Sequence, residues 1–124
     1  MQTLPTTLSG PVLLAPGAFP DARGFFLESY RVDVWREHGV DADFVQDNHS
    51  RSRRGIVRGL HFQTAPGQAN LLRFATGSHL HVVVDLRRRP PTFRAWESSH
   101  PSDPNFPPLL FSFGVYSAFL FTTP

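Results

Sequence analysis

The stretch FVQDNHSRSRRGIVRGLHFQ, residues 44–63, decides how this chain is read. Its two ends, 44–49 and 56–63, alternate apolar and polar side chains with the period of two that a β-strand imposes. Between them lies a turn-forming segment containing Arg51, Arg53, Arg54 and Gly55. Both runs carry side chains suited to chemistry: Gln46 and Asn48 share one parity of the first, and Arg58 and His61 lie in the second. In a regular strand Arg58 and His61 point to opposite faces, but Gly59 lies between them, and a glycine there permits a bulge that re-aims one of the two.

The same alternation recurs outward from this stretch, at residues 12–15, 25–30, 71–75 and 79–86, with Gly, Pro, Asn and Asp between the runs. Short strands at this spacing indicate a sandwich or barrel. Only residues 31–38 read as helix, with Val32 and Trp35 three apart and Gly39 placed to end it. The segment 109–121, LLFSFGVYSAFLF, is too short for a membrane span and reads as buried strand, with Phe111, Phe113, Val115, Phe119 and Phe121 on one face that must meet another sheet.

A length of 124 residues with 40% hydrophobic and 13% aromatic content suits one globular domain, residues 1–124, able to close its own core. There are no cysteines, so neither a disulfide framework nor a thiolate metal site is available. Pro5, Pro11 and Pro16 interrupt the N-terminal region, and the first basic side chain is Arg23, which does not match a signal peptide. A cytoplasmic protein is expected. All twelve basic residues are arginine, yet the formal net charge is only +2, too small an excess to indicate nucleic acid. The clusters Arg51–Arg53–Arg54 and Arg87–Arg88–Arg89 read as solvated loops.

Three ordered blocks carry a resemblance. DARGFFLE at 21–28, QDNHS at 46–50 and RGLHFQ at 58–63 together resemble the sugar-nucleotide epimerases, and in particular the dTDP-4-dehydrorhamnose 3,5-epimerase family. The resemblance is clear through residue 96 and weak over 97–124. It implies a mainly β protein, a cupin-like jelly-roll barrel with one short helix, incomplete at its C-terminal side because the family's usual end lies beyond Pro124. It also implies a homodimer, no cofactor and no metal. The substrate it implies is a nucleotide sugar, a dTDP-4-keto-6-deoxyhexose epimerised at C3, C5 or both, in the biosynthesis of dTDP-rhamnose or of antibiotic sugars.

Epimerisation next to a ketone needs a base of near-neutral pKa, a donor for the developing oxyanion and an acid on the far side of the ring. By resemblance His61 is the base, and imidazole has the intrinsic pKa for that role. Arg23 and Arg58 occupy the family's positions near the diphosphate, where a planar guanidinium matches two anionic oxygens. Phe26, Glu28, Gln46 and Asn48 occupy positions that contact the base and sugar, and Phe19 and Phe26 offer stacking surfaces. Each has a plainer reading: a hydrogen-bonded barrel histidine, surface ion pairs for the arginines, core packing for the phenylalanines.

Three departures accompany the resemblance. Asn70 stands where the family has the lysine that stabilises the enolate, replacing a cation with an amide that still donates a hydrogen bond. Ser117 falls where the family has a histidine, and the family's tyrosine acid and histidine-orienting aspartate come from later sequence, leaving Tyr116 and Asp85 as local substitutes. These departures support an alternative, a catalytically impaired homologue or fragment that only binds dTDP-sugar. A further alternative, a metal-dependent cupin, draws on His79, His81 and Asp85, which share parity on one strand; His81 replaces a carboxylate of the family.

Overall fold

The computed structural model describes residues 1–64, 67–88, 91–99, 109–113 and 116–122. In chain order these form β1 (Gln2–Leu4), β2 (Val12–Ala15), β3 (Ala18–Asp21), β4 (Gly24–Leu27), α1 (Val32–Glu37), β5 (Val57–His61), β6 (Ala69–Leu72), β7 (His79–Val84), β8 (Trp96–Ser99), β9 (Leu109–Phe113) and β10 (Tyr116–Phe121). Two four-stranded sheets, ordered β1-β2-β9-β6 and β5-β10-β7-β8, make up the two walls of a cupin-like jelly roll, and β3 and β4 form a separate hairpin. Every pairing among the described residues is antiparallel.

Alternation decides which side of each wall is covered. On the first sheet, Leu14, Val12, Ala69 and Leu71 pack with buried Trp35 and Val40, so α1 lies against this face. Trp35 is fixed there by an indole N–H donated to the Ser29 carbonyl at 3.2 Å. The helix ends as its sequence requires: Gly39 has φ +86°, and the N–H groups of Gly39 and Val40 return to the carbonyls of Arg36 and Trp35. The other face of the same sheet presents Leu13 and Leu72, which pack with Leu8 and Ala95 around Val83 of β7. This second cluster joins the two walls, and the strand faces that meet there are the interior ones.

Several sequence expectations hold and some are corrected. The strand at 12–15 is β2, and the runs at 56–63 and 79–86 contain β5 and β7. The run at 71–75 is shifted to Ala69–Leu72, because β9 offers its partners there, from Phe113 opposite Ala69 to Leu110 opposite Leu72. The run at 25–30 ends at Leu27, because its partner β3 supplies only four residues. Residues 44–49 alternate as expected but form no ladder among the described residues. The tail is not one strand with one face. Its halves, β9 and β10, lie in different sheets, and Val115 lies outside the described residues.

The arginines after β7 are not a solvated loop throughout. Asp85, fully buried, accepts from the Arg87 side chain at 2.9 and 2.8 Å, from the Arg87 N–H at 3.0 Å and from the Thr92 hydroxyl at 2.6 Å. Arg87 also donates to the Ser9 carbonyl, tying the N-terminal segment to this wall. Arg89 lies outside the described residues. Glu97 of β8 adds a second tie, accepting the N–H groups of Thr7 and Leu8 at 2.9 and 3.3 Å.

Candidate functional site

Strand register brings Arg58 and His61 to one face. His61 stands opposite Ser117 of β10, and Arg58 stands opposite position 119, so Gly59 and Leu60 together face the single residue Ala118. The extra residue on β5 is a bulge, and it cancels the parity difference between Arg58 and His61. Positions 117 and 119 are two apart and share a face, and directly opposed residues of an antiparallel pair point the same way. Only glycine fits the bulge. Gly59 has φ +132°, and a Cβ there would lie 2.6 Å from the Ala118 Cα and 2.8 Å from the Ser117 carbonyl oxygen.

The shared face is the interior one. Ser117 also stands opposite Val83, and position 119 opposite His81, so His79, His81 and Val83 of β7 look the same way as Arg58 and His61. Val83 belongs to the cluster that meets Leu72 of the other wall. Asn70, two residues before Leu72 on β6, therefore also faces the space between the sheets and is half-buried. At the β5 edge this space opens outward, since all five β5 residues are exposed. The arrangement is an imidazole and a guanidinium on one wall with an amide donor on the facing one.

Arg58 is held in place by its own loop. Its Nε–H donates to the Ser52 hydroxyl at 2.7 Å and its Nη2 to the Arg51 carbonyl at 3.4 Å. No pattern in the sequence marks Ser52 for this task; its contact arises from the turn at Gly55, φ +82°, which folds the loop back on β5.

The remaining candidates are arranged separately. Arg23 sits at the tip of the β3–β4 hairpin, its side chain 90% exposed, and pairs with Asp21, whose carboxyl those hydrogen bonds hold below the usual range. Its plainer reading as a surface ion pair describes this geometry. Phe26 stands opposite Phe19 across the hairpin, and both rings are largely exposed. Glu28 lies just past the end of β4 rather than on it with Phe26, and its carboxylate meets Arg31 at 3.5 Å. Gln46 donates to Asn48 at 3.2 Å, so these two do share a surface.

His79 and His81 of β7, with Asp85 just past its end, do not read as a metal centre. His79, His81 and Asp85 share a face, as their spacing requires, but Asp85 is engaged by Arg87 and Thr92. Among the described residues no group of three or more His, Asp or Glu is placed to hold an ion. His79 stacks on Phe74. Burial, with the neighbouring His79 charge, lowers the His81 pKa to about 4, so the ring is neutral at physiological pH. Among the described residues no helix is long and apolar enough to cross a membrane.

Comparison with known proteins gives a consistent result. The profile of the family described as dTDP-4-dehydrorhamnose 3,5-epimerase matches residues 5–124. A relative of that name from Methanothermobacter thermautotrophicus is 40% identical over 100 residues, covering 81% of this chain and 54% of the relative. One from Pseudomonas aeruginosa is 50% identical over 86 residues, covering 68% and 48%. The chain thus spans about half the length of these relatives. The crystal structure of the enzyme of that name from Bacillus anthracis, with TDP and PPi bound, superposes with a TM-score of 0.90 at 37% identity, covering 99% of this chain and 71% of that one.

Proposed function

Because this chain belongs to the dTDP-4-dehydrorhamnose 3,5-epimerase family, we propose that it epimerises a dTDP-4-keto-6-deoxyhexose at C3, C5 or both. The observation that carries this reading is the bulge at Gly59, which turns Arg58 and His61 toward one space with Asn70 on the facing wall. His61 takes the proton from the carbon beside the C4 ketone, and the electron pair moves onto the ketone oxygen as an enolate. Asn70 donates a hydrogen bond to that oxygen, and a second group returns a proton on the opposite ring face. Arg58 binds the diphosphate, Arg23 joins it by exchanging its Asp21 partner for a phosphate oxygen, and Phe26, Glu28, Gln46 and Asn48 contact the base and sugar.

We read residues 1–124 as one jelly-roll domain, cytoplasmic, acting as a homodimer. Support for the dimer comes from residues 44–49, which alternate as a strand yet form no ladder among the described residues, and from Val45 among them, 94% exposed. A second copy supplies the pairing and cover that one copy lacks. The hairpin with exposed Phe19 and Phe26 fits the same arrangement.

A second reading, a homologue that binds dTDP-sugar without turnover, is favoured by one observation: Ser117, directly opposite His61, and Asn70 replace a histidine and a lysine of the family pattern. One experiment separates the two. The chain is incubated with dTDP-4-keto-6-deoxyglucose in D2O, and deuterium at C3 and C5 is followed by NMR. Incorporation that His61→Ala abolishes supports the epimerase. Binding of dTDP by folded protein with no incorporation supports the second reading and removes the first.

A further inference from the structure

We propose that Ser52 is a positioning residue that presets the Arg58 guanidinium for a diphosphate, an inference that rests on the reading of the site given above. A guanidinium has five N–H donors in a rigid planar fork. In this chain the Nε–H and one Nη2–H are taken by the Ser52 hydroxyl and the Arg51 carbonyl. Those two donors lie along one side of the fork. The end of the fork, Nη1 and the second Nη2–H, is left to meet two adjacent anionic oxygens, the geometry that phosphate recognition favours.

The loop that carries Ser52 is anchored at its far side. The Gly55 N–H donates to the Phe121 carbonyl at 2.8 Å, the Phe121 N–H to the Ile56 carbonyl at 3.1 Å, and the Ile56 N–H closes on the Arg53 carbonyl at 3.3 Å. Ser52 is therefore fixed to the same strand, β10, on which the Arg58 and His61 register depends. An exposed arginine without such a partner samples many rotamers, and a ligand must then stop that motion on binding. Ser52 removes that requirement in advance, while the bulge sets the face and the hydroxyl sets the direction of the fork.

The test is calorimetric titration of the full chain with dTDP and, separately, with thymidine, which lacks phosphate. Ser52→Ala is expected to weaken dTDP about fivefold, the scale of one typical net hydrogen bond, with thymidine binding unchanged. Ser52→Thr, which keeps the hydroxyl, is expected to restore dTDP affinity to within about twofold. In an Arg58→Ala background Ser52→Ala is expected to add no further loss. If Arg58→Ala weakens dTDP while Ser52→Ala does not, this inference is overturned and the site reading stands. An equal loss for dTDP and thymidine, or a full Ser52→Ala effect without Arg58, also overturns it. If the wild-type chain does not bind dTDP, or Arg58→Ala leaves binding intact, the site reading itself fails and the inference with it.

Discussion

Gly59 and Ala118 face each other across β5 and β10 with no room for a methyl group on the glycine. This close approach lies where the described β5–β10 ladder shifts register, and the register change is what turns Arg58 and His61 the same way. Gly59→Ala meets both the Ala118 backbone and a φ of +132° that side chains rarely adopt. It is expected to cost about 2–4 kcal/mol of stability and to reduce proton exchange well beyond that loss. Gly55→Ala is the comparison: its φ is +82° but nothing lies within 4 Å, so it should cost only about 1–2 kcal/mol. Urea denaturation of the two variants checks the difference.

Asn70 faces the same interior space and offers a neutral donor where a full charge would stabilise an enolate better. Asn70→Lys is expected to raise the rate of deuterium incorporation by about tenfold or more, with the dTDP dissociation constant nearly unchanged. A lysine that instead lowers the rate would show that Asn70 does not address the developing oxyanion.

Acid stability should fall in two separate steps. The His81 pKa is lowered from its ordinary 6.5 to about 4, chiefly by burial and then by the charge of His79. The unfolded chain binds this proton first, so stability is full above pH 6.5 and declines as pH falls toward 4, by about 3 kcal/mol. Asp85 is lowered from 3.8 to about 2, chiefly by the Arg87 hydrogen bonds, and its contribution of about 2 kcal/mol is lost between those two values. Urea midpoints measured from pH 7 to pH 2 should show both limbs. His81→Phe should remove the upper one and leave the lower.

The Asp85–Arg87 pair should show a strong asymmetry between single and double variants. Arg87→Met leaves a fully buried carboxylate with only Thr92 and the backbone N–H as partners, and is expected to cost about 3–5 kcal/mol. Adding Asp85→Asn to that variant should recover a substantial part of the loss, since no buried charge then remains. Equal losses in the single and double variants, by urea denaturation, would mean that Arg87 acts mainly through its bond to the Ser9 carbonyl.

Much of this architecture is legible in the residue pattern where a strand has one wet and one dry face. β7 shows this, with His79, His81 and Val83 buried between half-buried neighbours, and β2 coincides with the apolar run at 12–15 although both of its faces are covered. The bulge was foreshadowed by a glycine set between two polar residues of opposite parity. Alternation does not say which strand lies alongside, and this is why 44–49 looks like a ladder strand and forms none among the described residues. It also cannot detect a change of sheet, so β9 and β10, both strongly apolar, read as one strand. β1 has three residues, too few for a period to emerge, and the four of β3 (AFPD) and of β8 (WESS) do not alternate apolar with polar side chains. The partners of Arg58 and Arg87 depend on loop closure, which leaves no periodic trace in the sequence.

The position of β10 has a consequence for biogenesis. It is the last described strand to be synthesised, yet it lies between β5 and β7 and supplies the hydrogen bonds that join them. While the ribosome is still extending the chain, β7 can pair with β8, but the facing rims of β5 and β7 wait with unsatisfied amides until β10 emerges to join them. Such long-range closure slows folding and prolongs exposure to off-pathway association. The strand order therefore leaves two open rims exposed to other chains for as long as translation of β10 is pending.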